Sequence, residues 1–429
     1  MDLASKLFKG DRVIWVIFMF LCLISIVEVF SASSTLAYKH ANHWAPIVRH
    51  TSFLLAGGAI ILVMHHFHYR YFSAIVLLLP VSIILLLLAP IIGVEINGGH
   101  RWINIAGIQF QPSEIAKLSC IVFVAFMLSR QNKFTEKQIY KYILIGVGTT
   151  CVFIFSENLS TCILLFSVCF MMMFIGQISI MRLAKTVAAI VLGLSLVIAI
   201  LKFGPQSITQ HFPERGVTWV NRLEAFFEKK TEVPAEEFKI TDENFQVSHA
   251  KIAIAQGGAL GKLPGHSQQR DFLPQAFSDF IYAIIIEELG IVGGLFVLLL
   301  YITLLVRVGM ISRKCDHLFP KILVLGCGLL IVVQALANMA VAVNLIPVTG
   351  QPLPLISRGG TSTVITCIYF GIILSISHFG AKMGESESSI EEESINESAI
   401  IGQEQLIPAT VVEQELSEFV MIEEDTTIE

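Results

Sequence analysis

The sequence has few charged residues. Only 15% of its 429 residues are Asp, Glu, Lys or Arg, and 54% are hydrophobic, whereas soluble proteins carry about a quarter charged residues. A chain so poor in charge cannot cover a water-facing surface. An ordinary soluble enzyme, a disordered protein and a nucleic-acid binder with a basic face are therefore excluded. A protein that crosses a membrane several times remains.

Paired cysteine motifs are lacking too. The eight cysteines lie almost entirely within apolar stretches, and no two of them form a CxxC pair. We therefore expect neither a disulfide framework nor a thiolate metal site, and interpret the cysteines as small residues of the core.

Basic residues are absent from the C-terminal end of the chain. From Glu385 onwards there are fourteen acidic residues and no Lys or Arg, which leaves 20 acidic against 29 basic residues before it. Residues 381–429 are predicted to form an acidic, disordered cytoplasmic tail. Residues 1–380 are predicted to form a basic membrane domain.

Apolar stretches that could cross a bilayer as helices number ten. They lie at 13–33, 46–64, 72–93, 113–129, 141–156, 159–176, 186–203, 276–306, 322–344 and 362–380. The predicted fold class is an all-α polytopic membrane protein with about ten transmembrane helices. The first stretch is too long for the apolar region of a signal peptide, so we interpret it as an uncleaved span.

The distribution of Lys and Arg predicts the orientation. With the N-terminus inside, fifteen of them fall in cytoplasmic segments and four in short outer loops, in agreement with the positive-inside rule. Both termini are therefore predicted to be cytoplasmic. Residues 204–275 then form one large polar loop on the outer face, within which residues 222–230 are predicted to form a short amphipathic helix.

Ionisable residues in or beside the spans are the candidates for function, because a charge in hydrocarbon is costly. Glu114 and Lys117 stand three apart on one helical face, so we expect an ion pair, either structural or facing a substrate. Asp279 lies where the outer loop enters the eighth span. Partial burial there would suit it to act as a general base, and a carboxylate that only interacts with the helix N-terminus is the alternative.

Three other carboxylates lie inside the predicted spans. Glu28, near the outer end of the first span, is expected to reach water or to be hydrogen-bonded. Glu287 and Glu288 are expected to be buried, with a partner on a neighbouring helix.

Two glycine-rich stretches could contact a ligand. Residues 253–274 offer donors and positive charge suited to phosphate or sugar oxygens, without the strand and helix context of a nucleotide-binding fingerprint. Residues 344–363 are dense in Pro and Gly and are predicted to form a re-entrant outer segment at the floor of a cavity. The candidate substrate-binding residues in the two stretches are Lys262, Ser267, Gln269, Arg270, Ser357 and Arg358.

Three motifs in this order resemble the hallmark stretches of the SEDS family, which includes FtsW and RodA. They are NGGHRWINIAGIQFQPSEIAKL at 97–118, the run from AIAQGG to GIVGG at 253–294, and LIPVTGQPLPLISRGGTS at 345–362. The similarity covers about residues 12–380. It implies a peptidoglycan glycosyltransferase in the cytoplasmic membrane that polymerises lipid II at the outer face and works with a class B penicillin-binding protein.

The resemblance also implies roles for individual residues. Asp279 falls on the catalytic aspartate of the family. Arg101 falls on its outer-loop arginine, and Glu114 and Lys117 fall on the Glu and Lys of its fourth span. We predict that these three residues bind substrate. No metal-ligating residues are predicted, although a divalent cation, Mg²⁺ or Mn²⁺, at the leaving pyrophosphate is left open. The implied partners are lipid II, an FtsI-type transpeptidase and membrane proteins of the division machinery, and no nucleic acid.

The sequence departs from the family pattern at three places. ENLST (157–161) stands where QPDxGT is usual, Phe277 where His is frequent, and Arg358 where Tyr is common. The first-span region favours a division-type member, acting at the septum, over an elongation-type polymerase. Two other functions are open. A lipid II flippase would carry ionisable residues near the bilayer midplane and an inverted repeat, and a scaffold would not need Asp279.

Overall fold

The computed structural model describes residues 8–32, 44–94, 101–105, 108–203, 244–273 and 276–380. Its α-helices within these ranges are α1 (Arg12–Ala32), α2 (Ala45–Met64), α3 (Leu78–Ile92), α4 (Pro112–Leu128), α5 (Glu136–Glu157), α6 (Leu159–Ile175), α7 (Ile180–Phe203), α8 (Phe245–Gly257), α9 (Ile281–Arg313), α10 (Leu318–Ala342) and α11 (Thr361–Gly380). Two 3₁₀ helices, Tyr69–Leu77 and Gln269–Asp271, precede α3 and α9. The predicted helix at 222–230 and the acidic tail lie outside the described residues.

The helices confirm an all-α polytopic membrane fold. Among the described residues, eight helical segments are long and apolar enough to cross a membrane. The remaining two predicted spans coincide with α4 and α6, which have 17 residues each. A helix thus stands at each of the ten predicted positions, while the number that cross the bilayer and their orientation stay predictions.

The helix boundaries differ from the predicted spans in a way that has local causes. Helix α5 begins at Glu136 because Thr135 and Gln138 form a capping box there, so its charged first turn is helical although it is not apolar. Helix α9 begins at Ile281 and not at 276, because residues 276–280 form a turn. The first part of the third span is a 3₁₀ helix, Tyr69–Leu77.

The centre of the bundle is α10. This helix is mostly buried and packs against α4, α6 and α9. Glycines permit the close approach, since a Cβ at Gly326 would meet Met172 and Ile121, and one at Gly328 would meet Val308. Helix α7 is almost wholly exposed by comparison and lies at the edge of the bundle.

Helix α9 is interrupted at Gly290, whose φ of 72° departs from the helical region. Its Cα lies so close to the loop after α8 that a Cβ would stand 2.2 Å from the carbonyl oxygen of Ala259. The loop replaces the missing helical hydrogen bonds. Ile291 and Val292 donate to the carbonyls of Gly258 and Ala259, while the carbonyls of Glu287 and Glu288 accept from the N–H groups of Lys262 and Leu263. The kink thereby joins the loop to α9 through four backbone hydrogen bonds.

A short hairpin precedes α4 and was not predicted. Strands β1 (Ile103–Ile105) and β2 (Ile108–Phe110) pair antiparallel, with Asn104 opposite Gln109. The hydroxyl of Thr361 donates to the Gln109 carbonyl at 3.4 Å. The hairpin therefore lies beside the start of α11.

Candidate active site

Asp279 lies in the turn that leads into α9 and is partly exposed. The hydroxyl of Ser278 donates to its Oδ1 at 2.9 Å, and the Asn338 amide of α10 donates to its backbone carbonyl at 2.8 Å. Its Oδ2 faces Gly350, where a Cβ would stand 3.5 Å away. Asp279 is thus held by Ser278 at its carboxylate and by α10 at its backbone, it faces the segment before α11, and it stays partly exposed.

The segment before α11, residues 344–360, is not helical, and it is mostly buried between Gln351 and Ser357. Side chains from several helices satisfy its backbone carbonyls: Asn338 donates to Gln351 at 2.7 Å, Gln334 to Pro352 at 3.0 Å, Tyr301 to Pro354, and Ser25 to Ile356 at 2.9 Å. Buried irregular backbone is stable only where its polar groups are satisfied in this way. These donors hold residues 344–360, which the sequence predicts to be a re-entrant segment, against Asp279.

Ser357 and Arg358 connect this segment directly to the aspartate turn. The Ser357 hydroxyl donates to the carbonyl of Ser278 at 2.6 Å and accepts from the N–H of Leu353. The N–H of Arg358 donates to the carbonyl of Phe277 at 3.0 Å. Both predicted residues therefore lie beside Asp279. In this structure, Ser357 positions backbone.

The guanidinium of Arg358 stands over the ring of Phe277, 5.3 Å from the ring centre, which is a cation–π geometry. Two of the departures from the family pattern are therefore in contact with each other. Burial, and in second place the positive charge of Arg49, lower the pKa of Arg358, but an arginine remains cationic at neutral pH. A cation held over a ring two residues from Asp279 in the sequence makes this region suited to an anionic group.

The predicted ion pair forms, and it is buried. Lys117 Nζ lies 2.8 Å from Glu114 Oε1, and it also donates to Gln334 Oε1 at 3.1 Å. The same Gln334 holds the carbonyl of Pro352. This favours a structural role, because the pair reaches the aspartate only through Gln334 and the re-entrant segment.

The ENLST stretch lies at the start of α6 and reaches the same segment. Asn158 caps α6 by accepting from the N–H of Thr161 at 3.2 Å. The hydroxyl of Thr161 in turn accepts from the Gln351 amide at 2.9 Å. Asn158, which departs from the family pattern, thus caps α6, and it is linked through Thr161 to Gln351 of the re-entrant segment.

The other four predicted residues form a separate cluster around Glu287. Its carboxylate accepts from Lys262 Nζ at 3.0 Å, from the Ser267 hydroxyl at 2.5 Å, and from the N–H groups of Gln268 and Gln269 at 3.0 and 3.3 Å. Glu288 accepts from the N–H of Ser267 and from the hydroxyl of Ser31 in α1, which confirms the expected partner on a neighbouring helix.

Two members of this cluster are less available to a substrate than expected. Ser267 and Gln269 are buried, and they hold Glu287. Arg270 donates to the carbonyl and hydroxyl of Ser31 at 3.2 and 3.1 Å. Lys262 and Arg270 keep part of their side chains exposed. Substrate contact by the four residues stays a prediction. The contacts that the structure shows for them are to Glu287 and Ser31.

Arg101 lies just before β1 and is partly buried. Three of the residues that hold the site were missed in the sequence: Gln334, Asn338 and Gln351. Gln334 and Asn338 could have been found, because they are two amides four residues apart on one face of an otherwise apolar span.

The acidic, His and Cys side chains of the described residues do not converge in groups of three that could hold a metal ion. Mg²⁺ often binds through one or two carboxylates together with substrate phosphates. Such an ion would therefore be shared between Asp279 and a ligand.

A protein-family model described as a cell cycle protein, of the FtsW/RodA/SpoVE type, matches residues 11–382. The chain belongs to the FtsW/RodA/SpoVE family. It is 27% identical over 385 residues to a probable peptidoglycan glycosyltransferase FtsW of Enterococcus hirae, spanning 86% of this chain and 94% of the relative. It is 33% identical over 299 residues to the FtsW of Taylorella equigenitalis, spanning 68% and 76%.

Solved structures of the FtsW/RodA/SpoVE family share the fold. RodA of Thermus thermophilus aligns over 86% of this chain and 96% of its own, with a TM-score of 0.59 and 20% identity. A chain from a study of the structural coordination of polymerization and crosslinking by a peptidoglycan synthase complex aligns over 86% and 98%, with a TM-score of 0.67. At this identity, the likeness supports the membrane fold alone.

Proposed function

We propose that this protein is a peptidoglycan glycosyltransferase that polymerises lipid II during cell division. Membership of the family and the names of the relatives support the reaction class. The observation that carries the proposal is the setting of Asp279. Its partly exposed carboxylate accepts from the Ser278 hydroxyl and faces Gly350, its backbone carbonyl accepts from an α10 amide, and Arg358 lies over the ring of Phe277 in the same turn.

In the proposed reaction, the 4-hydroxyl of one lipid-linked sugar attacks the anomeric carbon of a second one. The bond from that carbon to the polyprenyl pyrophosphate breaks, and the pyrophosphate leaves with the electron pair. Asp279 takes the proton of the attacking hydroxyl as general base. The positive charges of Arg358 and Arg49 favour the developing negative charge of the leaving group. Pyrophosphate is a good leaving group, so no second acid is required.

The proposed setting is the outer face of the cytoplasmic membrane at the division septum, with the lipid tails in grooves between helices. The proposed partner is a class B penicillin-binding protein of the FtsI type, which would cross-link the new strand. A neighbour in the fold comparison comes from work on polymerization and crosslinking in one synthase complex, which supports this pairing. An elongation-type role is the alternative within the family.

The test is the formation of glycan polymer from labelled lipid II by the purified protein with its cognate transpeptidase. Asp279→Asn removes the base and keeps the shape. The matched control is Asp316→Asn, the same change at an exposed site beyond the other end of α9. We expect polymer from wild type and control, and none from folded Asp279→Asn. Polymer from all three would remove Asp279 from the chemistry.

A parallel measurement of lipid II translocation in vesicles separates the alternatives. A flippase would move lipid II across the bilayer and would form no polymer even when the transpeptidase is present. A scaffold would do neither, and cells that depend on this protein would divide with Asp279→Asn in its place. Either result would overturn the proposal.

A further inference from the structure

Helix α1 carries a buried polar stripe at a spacing of three residues: Ser25, Glu28 and Ser31. Ser25 donates to the carbonyl of Ile356 in the re-entrant segment. Ser31, one turn above Glu28, donates to Glu288 and accepts from Arg270. The stripe therefore touches both the aspartate site and the cluster around Glu287 and Glu288.

Glu28 has no exposed surface, and neither of its carboxyl oxygens has a hydrogen-bond partner in the described part of the chain. This differs from the expectation that it reaches water or is hydrogen-bonded. An isolated carboxylate in such a place would cost several kcal/mol. Glu28 must therefore be neutral, or be balanced by a cation.

A second carboxyl oxygen without a partner lies close by. Glu288 Oε1 accepts from Ser31 and from the N–H of Ser267, but its Oε2 is buried and has no partner among the described residues. Glu28 and Ser31 are one turn apart on the same face of α1, and Ser31 bonds Glu288, so Glu28 and Glu288 lie at the same interface between α1 and α9.

None of the charged side chains around the pair contacts the carboxyl of Glu28 in the described part of the chain. The titratable and charged side chains that face it from the packed elements are Glu287 and Glu288 on α9, Lys262 and Arg270 on the loop, His50 on α2 and Arg358 on the re-entrant segment. Arg358 interacts with the Phe277 ring, and His50 contacts Ser25. Lys262 pairs with Glu287 and Arg270 bonds Ser31, so neither of these two cations contacts Glu28.

We propose that Glu28 is a positioning residue, a neutral carboxylic acid whose O–H donates to Oε2 of Glu288 and so fixes the outer loop to α1. A proton on Glu28 removes its buried charge, and its O–H gives a partner to one oxygen of Glu28 and to Oε2 of Glu288. No other ion is then needed between the two helices.

The position of this contact explains how it bears on the reaction. The loop residues 267–269 and the helix residues Glu287 and Glu288 are bonded to each other, and Asp279 lies on the chain between them. The hydrogen bond from Ser267 to Glu288 therefore joins the two ends of the stretch that contains the aspartate. Loss of the Glu28 contact would loosen it from α1. This part of the inference rests on the proposed function.

The experiment compares Glu28→Gln and Glu28→Ala with Val27→Ala, a change at the neighbouring exposed position. Infrared difference spectra of wild type minus Glu28→Gln should contain the carbonyl stretch of a neutral carboxylic acid. Glu28→Gln keeps a donor toward Glu288, so we expect melting temperature and polymer formation close to wild type. Glu28→Ala should lower both, with polymer formation down at least about threefold, the factor of one interhelical hydrogen bond.

Two results would overturn the inference. The first is the absence of the acid band together with a melting temperature that rises with added Na⁺ or Mg²⁺, which would make the pair a cation site. The second is a Glu28→Ala protein that melts and polymerises like Val27→Ala. The spectrum and the melting temperature do not depend on the activity, so a wild type without polymer would count only against the proposed function.

Discussion

Asn338 is the residue on which the position of Asp279 depends most directly. Its amide nitrogen donates to the carbonyls of Asp279 and Gln351, at 2.8 and 2.7 Å, and the side chain is buried in the centre of the bundle. It therefore joins α10 to the aspartate turn and to the re-entrant segment at once. Replacement of Asn338 by Ala removes both contacts.

The expected cost follows from the two hydrogen bonds. Interhelical hydrogen bonds in membrane proteins contribute about 0.6 kcal/mol on average and at most about 1.7, while a buried carbonyl left without a donor costs about 1–3 kcal/mol. Asn338→Ala should thus lower stability by about 1–4 kcal/mol. A displacement of the aspartate by about 1 Å should lower polymerisation about 100-fold.

The assay measures melting temperature and polymer formation in the same preparations. Leu336→Ala is the control, because it removes the same number of heavy atoms, three, from the same helix at an exposed position. We expect Leu336→Ala to behave as wild type and Asn338→Ala to lose activity by a larger factor than its stability loss accounts for. An Asn338→Ala protein with wild-type melting and activity would refute this account of how Asp279 is held.

Two further predictions concern stability. Lys117→Met leaves Glu114 buried and unpaired, so it should lower the free energy of unfolding by about 3–5 kcal/mol, measured with denaturant. The addition of Glu114→Gln should restore part of this loss. A Lys117→Met protein as stable as wild type would contradict the buried pair. Gly290→Ala places a Cβ against the loop at a residue with positive φ, so it should lower the melting temperature. Gly309→Ala, whose Cβ meets open space in the same helix, should not lower it. Equal melting temperatures of the two variants would mean that the loop does not approach the kink.

Local patterns in the sequence predicted much of the fold. Apolar stretches found a helix at every predicted position, and the i, i+3 spacing found the pair of Glu114 and Lys117. What they missed depends on contacts between distant parts of the chain. The kink at Gly290 exists because the loop at 258–263 supplies its hydrogen bonds, and no local pattern contains that loop.

The candidate site was predicted in part for the same reason. Family motifs located Asp279 and the re-entrant segment, but the side chains that hold them come from α1, α9 and α10. Donors such as Ser267 and Gln269 were expected to face a substrate because of their residue type. In the structure they bond Glu287, since a buried carboxylate nearby requires donors, and sequence spacing alone does not reveal that demand.

The most direct test of the central claim is polymer formation from labelled lipid II by folded Asp279→Asn, with the transpeptidase present and Asp316→Asn as control. The account predicts polymer from the control and none from Asp279→Asn. Polymer of wild-type yield and length from Asp279→Asn would contradict it.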